Sequence, residues 1–303
     1  MTTVVLGSGP KAAWARAVLG RLSIGGSDIR AVEGGFSRAS LDDVASSPVD
    51  ALVLVDQVVD VGALAKPSEK VLCDLVRPNA MQFAFAREVA ARARCTIQLA
   101  PGAPVEEWAT ALADLTGTSP DAVREHMSGF PGPTTASLNG LPEGPVANVV
   151  RGYLAPLSAA CATAAPLSLN WQRELFLDGD APGTMLPAAP EVGGRPRILA
   201  YGPYLPLPVG RWSATVYLGF SNEIGRLPFI FEVDAGGSVA RGFFEVERGG
   251  LFSLSLDFEV AQPLHLVECR LISQDSAIEG QFSLIEVQLD LQPGEAPAGY
   301  RAP

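Results

Sequence analysis

Lysine is nearly missing from this chain of 303 residues: only Lys11, Lys66 and Lys70 occur among its 22 basic residues, against 33 acidic ones and a formal charge of −11. No run of four basic residues occurs, and phosphate backbones and anionic membrane surfaces are held by clustered Lys and Arg. Nucleic acid and membrane insertion are therefore excluded as expected partners. Histidine is scarcer still, with His126 and His265 alone. The four cysteines, Cys73, Cys95, Cys161 and Cys269, contain no CxxC pair. A zinc site built from close ligand pairs lacks its materials, and the cysteines read as free, buried thiols of a reducing compartment. No metal is expected. Long apolar runs are absent too, so no transmembrane helix is predicted. The opening Met1-Thr2-Thr3-Val4-Val5-Leu6-Gly7 has no basic stretch ahead of an apolar core, so no signal peptide is read and the protein is expected to be cytoplasmic when made. That leaves open carriage as part of a released particle. What is present in quantity is apolar mass: 48% hydrophobic against 18% charged residues, a composition for folded domains, about two of them at this length.

The pattern changes style along the chain. Residues 1–116 alternate short apolar runs (Thr3–Leu6, Ile29–Val32, Ala51–Val55, Lys70–Leu75, Thr96–Leu99) with helical spacing at Lys11–Leu19, Ala80–Ala93 and Val105–Leu115. This alternation predicts βαβ units and a Rossmann-like parallel sheet of about five strands. Residues 117–194 are dense in Pro and Gly and are read as a helical connection, with helices at 120–128 and 146–163. Residues 195–292 switch to a period of two. Trp212, Ala214, Val216, Leu218 and Phe220 share one face, as do Phe252, Leu254, Leu256, Phe258 and Val260. Several such runs separated by Gly and Pro turns predict a C-terminal antiparallel β-sandwich, jelly-roll-like. Residues 293–303 are read as a disordered tail.

Several residue groups invite a chemical reading. Gly7-Ser8-Gly9-Pro10-Lys11 follows a strand and opens a helix, where backbone N–H groups either cradle the phosphates of a nucleotide or sugar nucleotide or simply turn the chain. Glu33 stands where a ribose-binding acid would stand, although Ala12 replaces the third glycine. Asp56 and Asp74, placed at the ends of strands, either hold a ligand or cap a helix. His126 and His265 have no identifiable nucleophile or acid beside them, so no catalytic residue is assigned. Asp178-Gly179-Asp180 has the letters of a metal-binding DxD but sits among Pro and Gly and is read as a loop. Tyr201 and Tyr204 lie in a Pro-fixed segment, where they either stack on sugar rings or seal the sandwich. Tyr217, Arg241, Asp257 and Arg270 occupy outward strand positions. They either bond sugar hydroxyls or form a solvated face.

Tyr201-Gly202-Pro203-Tyr204, Leu207-Pro208, Gly210 and Trp212, followed by alternating strands, resemble the opening of β-sandwich domains attached to bacterial surface-polysaccharide glycosyltransferases. The resemblance covers the last third of the chain and implies a carbohydrate-binding-like domain; it transfers no binding residue. The expectation is a non-catalytic carbohydrate-binding protein of bacterial surface or capsular polysaccharide biology. Its glycan would sit on the C-terminal sandwich, at Tyr201, Tyr204, Tyr217, Arg241, Asp257 and Arg270, and its partners would be a bacterial polysaccharide and other copies of itself or a larger assembly. Two other readings stand beside it: a sugar-nucleotide-using, glycosyltransferase-like enzyme working at Gly7, Ser8, Gly9 and Lys11, and a structural spike of a phage-like particle that binds capsule.

Overall fold

A computed structural model describes residues 2–6, 30–32, 36, 38–45, 50–54, 72–92, 96–99, 105–127, 143–160, 166–237 and 239–293. Two compact units divide the chain, one formed by residues 1–61, 81–141 and 158–164, the other by 62–80, 142–157 and 165–303. The loop Gly7–Lys11, Glu33, Asp56, Cys95, Cys161 and the tail after 293 lie outside the described residues.

The first unit holds a sheet of four parallel strands, β1 (Thr2–Leu6), β2 (Arg30–Val32), β3 (Asp50–Leu54) and β4 (Thr96–Leu99), in the order β2-β1-β3-β4. Of the expected Rossmann-like arrangement of about five strands, the described residues contain this parallel sheet. The expected strand at 70–75 is absent from it, because α2 runs from Leu72 to Arg92. Leu72, Cys73, Val76, Ala80 and Phe83 recur at helical spacing and are all buried, while Pro78 inside the helix faces outward. Asp74 thus lies in a first helical turn, where a carboxylate suits the helix dipole, and pairs with Arg77 at 2.8 Å. Before α2 comes α1 (Arg38–Ala45); after β4 come α3 (Val105–Thr116) and α4 (Pro120–Met127). The α3 helix buries Ala109, Leu112 and Ala113 along one stripe. The Ser119 hydroxyl accepts the Ala122 N–H at 3.2 Å and caps α4.

The second unit is built on two antiparallel sheets. The strands are β5 (Ser168–Gln172), β6 (Leu177–Asp178), β7 (Arg197–Pro206), β8 (Gly210–Phe220), β9 (Leu227–Asp234), β10 (Val239–Val246), β11 (Gly250–Val260), β12 (Leu266–Ser273) and β13 (Phe282–Leu291). One sheet has the order β10-β9-β12-β7-β6, the other β11-β8-β13-β5. Among these strands, β6 to β7 and β9 to β10 stay within one sheet; every other connection crosses between sheets. Trp171, Trp212, Val216, Phe229, Phe231, Phe282 and Val287 fill the interior. Trp212 donates its indole N–H to the Pro208 carbonyl at 2.9 Å, so the largest inward side chain of β8 is satisfied locally.

Two expectations need correction here. The sheets take in β5 and β6, from well before residue 195, because Leu169 and Trp171 alternate with Ser168, Asn170 and Gln172 and pair with β13. The segment expected as one helix over 146–163 is α5 (Pro145–Val149), a π-helical turn over Val150–Leu154, and α6 (Ala155–Ala160). The π turn brings Gly152 against β5, where a Cβ would lie 3.3 Å from Asn170. It also turns Tyr153 inward, its hydroxyl donating to the Pro206 carbonyl at 3.0 Å.

Candidate functional site

The six sandwich residues expected to meet a glycan divide between two faces. On the outer face of the five-stranded sheet, Tyr201, Tyr204, Arg241 and Arg270 come together. Register places Arg241 opposite Glu232, Glu232 opposite Arg270, and Arg270 opposite Tyr201. Glu232 and Glu268 are 4% and 6% exposed. A buried carboxylate is tolerated only when paired, and both are. Glu232 accepts from Arg241 Nε at 2.5 Å and from an Arg270 NH at 2.7 Å. Glu268 accepts from the other Arg270 NH and from the Tyr204 hydroxyl.

Tyr204 holds an unusual backbone for an aromatic residue, with φ 58°. It is gripped at both ends: its hydroxyl by Glu268, its carbonyl by Arg77 Nε at 2.9 Å. Burial and the Glu268 carboxylate push its phenol well above the usual tyrosine range, and the Arg270 guanidinium is held more firmly charged by Glu268 and Glu232. Tyr201 packs edge-on against Tyr204, ring centres 6.2 Å apart, and its hydroxyl accepts the Gly183 N–H at 3.2 Å. The polar groups on this face are therefore engaged with one another.

The outer face of the four-stranded sheet is different. Inward positions of β8 are apolar and buried, so Arg211, Ser213, Thr215, Tyr217 and Gly219 point the other way. Pairing with β11, β13 and β5 lines these up in tiers: Leu251–Gly219–Ser283, Ser253–Tyr217–Glu286–Gln172, Ser255–Thr215–Gln288–Asn170, Asp257–Ser213–Asp290–Ser168, and Glu259–Arg211. A bulge in β13 between Leu284 and Glu286 keeps Glu286 beside Tyr217. With strands about 4.8 Å apart, a four-residue tier spans about 14 Å. Thr215 and Ser255 share a hydroxyl–hydroxyl bond of 2.8 Å, and Gln288 donates to Asp290 at 3.0 Å. Among the described residues, the side chains of Tyr217, Ser253, Ser213 and Asp257 make no hydrogen bond or ion pair.

Gly219 opens a trough at the end of this face. A Cβ there would meet Leu251 Cδ2 at 3.5 Å and Ser283 Cβ at 3.8 Å, so the space between the two flanking strands is the width of one small side chain. An open depression of about 360 Å³ lies over it, lined by Ala189, Gly219, Ser221, Leu251, Gln281 and Ser283, one tier from Tyr217. Glycine inside a strand commonly marks close approach of something to the backbone. Sequence reasoning picked out Tyr217 and Asp257 and missed Gly219 and Leu251. A glycine and an outward leucine within two alternating strands were the available signal.

The remaining candidates have local roles. The Asp178 carboxylate accepts the Asp180 N–H at 2.9 Å, and Asp180 receives Arg197 through both oxygens, at 2.6 and 2.8 Å. Asp178-Gly179-Asp180 is thus a loop anchor, and the Arg197 hydrogen bonds hold the Asp180 carboxyl below the usual carboxylate range. The His265 ring occupies the space where a Cβ on Gly236 would stand, in the turn between β9 and β10. His126 lies on α4. Among the described residues no group of three His, Cys, Asp or Glu side chains is placed to hold a metal, and no helix is long and apolar enough to cross a membrane.

No family model and no curated protein matches the chain. Solved structures similar to it include the C-terminal CBM6 of LamC, a marine laminarinase from Zobellia galactanivorans (14% identity, 40% of this chain and 98% of that one, TM-score 0.27). Another is TmCBM61 in complex with β-1,4-galactotriose (11% identity, 41% of this chain and 88% of that one, TM-score 0.25). A third is the glycosylation associate protein (Gap123) complex from Streptococcus agalactiae (8% identity, 96% of this chain and 50% of that one, TM-score 0.28).

Proposed function

We propose that the protein is a non-catalytic carbohydrate-binding protein, with the glycan lying on the outer face of the four-stranded sheet. The observation that carries this reading is the combination of Tyr217 with the Gly219 trough, beside hydroxyls and carboxylates that make no bond inside the described chain. An aromatic ring offers a platform for the apolar C–H face of a pyranose, and neighbouring polar groups bond its hydroxyls. The opposite sheet face lacks this combination: Tyr204, Arg241 and Arg270 already satisfy Glu232 and Glu268. In this reading those five residues, with Tyr201, are scaffold, and Tyr217 and Asp257 are contact residues. The resemblance of Tyr201–Trp212 to the opening of surface-polysaccharide-associated sandwiches favours a bacterial polysaccharide as the partner.

Calorimetric titration of the full chain with purified polysaccharides tests the reading. Saturable binding that weakens about tenfold in Tyr217→Ala, with unchanged melting temperature, is the expected result. Saturable binding that survives Tyr217→Ala and is lost in Tyr201→Ala would move the site to the other face. No saturable binding to any glycan would overturn the function.

A further inference from the structure

Charge on the proposed glycan face is one-sided. Asp257, Glu259, Glu286 and Asp290 project from it, and among the outward residues of its four strands Arg211 is the one cation, placed opposite Glu259. Asp257 and Asp290 flank Ser213 from the two neighbouring strands, so a ligand crossing that tier passes between two carboxylates. The arginines that suit bidentate capture of an acidic sugar, Arg241 and Arg270, are on the other sheet and are held by Glu232. Carboxylates are acceptors for sugar hydroxyls, but they repel a second anion, and like charges brought together at an interface cost several-fold to many-fold in affinity.

We infer that this face takes an uncharged glycan chain and turns away polymers bearing carboxylate, sulfate or phosphate groups. The inference rests on the carbohydrate-binding reading above and narrows it: of the surface and capsular polysaccharides expected as partners, only neutral chains or neutral stretches would fit. Selectivity would come from the carboxylates standing beside Ser213 and Tyr217, not from the overall charge of −11.

The experiment compares the full chain against neutral polymers (dextran, mannan, galactan and xylan) and the polyanions polygalacturonate and hyaluronan, at low salt and at about 0.15 M salt. The expected result is saturable binding of at least one neutral polymer, with polyanions bound at least about tenfold more weakly at low salt. Asp257→Asn with Asp290→Asn would raise polyanion binding relative to neutral binding. Glu107→Gln with Asp114→Asn, which removes the same charge from exposed positions of α3, would not. Polyanions bound as well as neutral chains, or better, would overturn the inference and leave the carbohydrate-binding reading standing. An equal response in the two double variants would also overturn it, because overall charge would then account for the discrimination. Failure of every polymer to bind would overturn the reading and the inference together.

Discussion

Glu232 shows how a single side chain constrains its surroundings. It is almost wholly buried, yet it receives two arginines whose side chains are 57% and 29% exposed. Removing its charge strands cations that can partly return to water, so the loss falls below that of a fully buried pair. Glu232→Gln is expected to lower stability by about 2 kcal/mol, read as a lower urea midpoint with unchanged slope. The cysteines behave oppositely. Cys269 is buried in the sandwich, and burial pushes its thiol well up; Cys73 is raised to about 11, chiefly by burial. Neither carries appreciable thiolate at neutral pH, and the thiolate is the reactive form. Peptide mapping after alkylation of the native protein is expected to find both unlabelled; rapid labelling of Cys269 would contradict its placement. At Gly219 the neighbours lie at ordinary contact distance from an added Cβ, so Gly219→Val should fold and fill the trough. Glycan binding should fall by about tenfold while the melting temperature holds.

Elements differ in how plainly their residues announced them. The β8 and β11 strands were legible because apolar residues recur at every second position, from Trp212 to Phe220 and from Phe252 to Val260. The α2 helix was legible from Ala80 onward but not in its first turns, because Arg77-Pro78-Asn79 breaks the apparent pattern while Leu72, Cys73, Val76 and Ala80 still share a face. The β5 strand carries a clean alternation, Leu167 to Gln172, but proline on either side made the region look like a connection. Of the candidate site, the outward residues were visible as alternation, whereas their division between two sheets was not, since pairing partners are set by register across the whole chain. The loop before β7 offers two tests at this scale. Gly179 lies so close to β7 that a Cβ would stand 1.9 Å from the Ile198 carbonyl oxygen. Gly179→Ala should therefore detach the loop, seen as faster proteolysis between residues 179 and 196. The Asp180–Arg197 pair should do so with acid. A carboxyl held below its ordinary value stabilises the folded loop fully above 3.8, and that contribution is lost as the pH falls through the lowered value. The protection of the loop amides, their exchange rates taken relative to the unfolded-chain rate at each pH, should fall over that acidic window and stay flat from pH 5 to 8.

For the molecule as a whole, the sandwich draws on segments spread widely along the chain. The Arg77 guanidinium binds the Tyr204 carbonyl, Tyr153 binds that of Pro206, and β5 completes the sheet beyond β13. A fragment of residues 195–303 would lose all three and leave the β13 edge unpaired. It is expected to melt well below a fragment beginning at residue 142, or to aggregate, by circular dichroism and light scattering. Equal melting temperatures would show that the upstream segments merely decorate the sheet.

The pairing of β5 with β13 joins residues more than a hundred positions apart, and β8 lies between β11 and β13. As the chain is synthesised, β5 and β8 emerge long before the strand that must lie between them. Until β13 arrives, each offers a bare hydrogen-bonding edge to any neighbour. Such distant pairing favours slow folding. Production of this protein should therefore be limited by association between unfinished chains, and lowering the rate of synthesis should raise the soluble yield more than adding stabilising ligands to the finished fold.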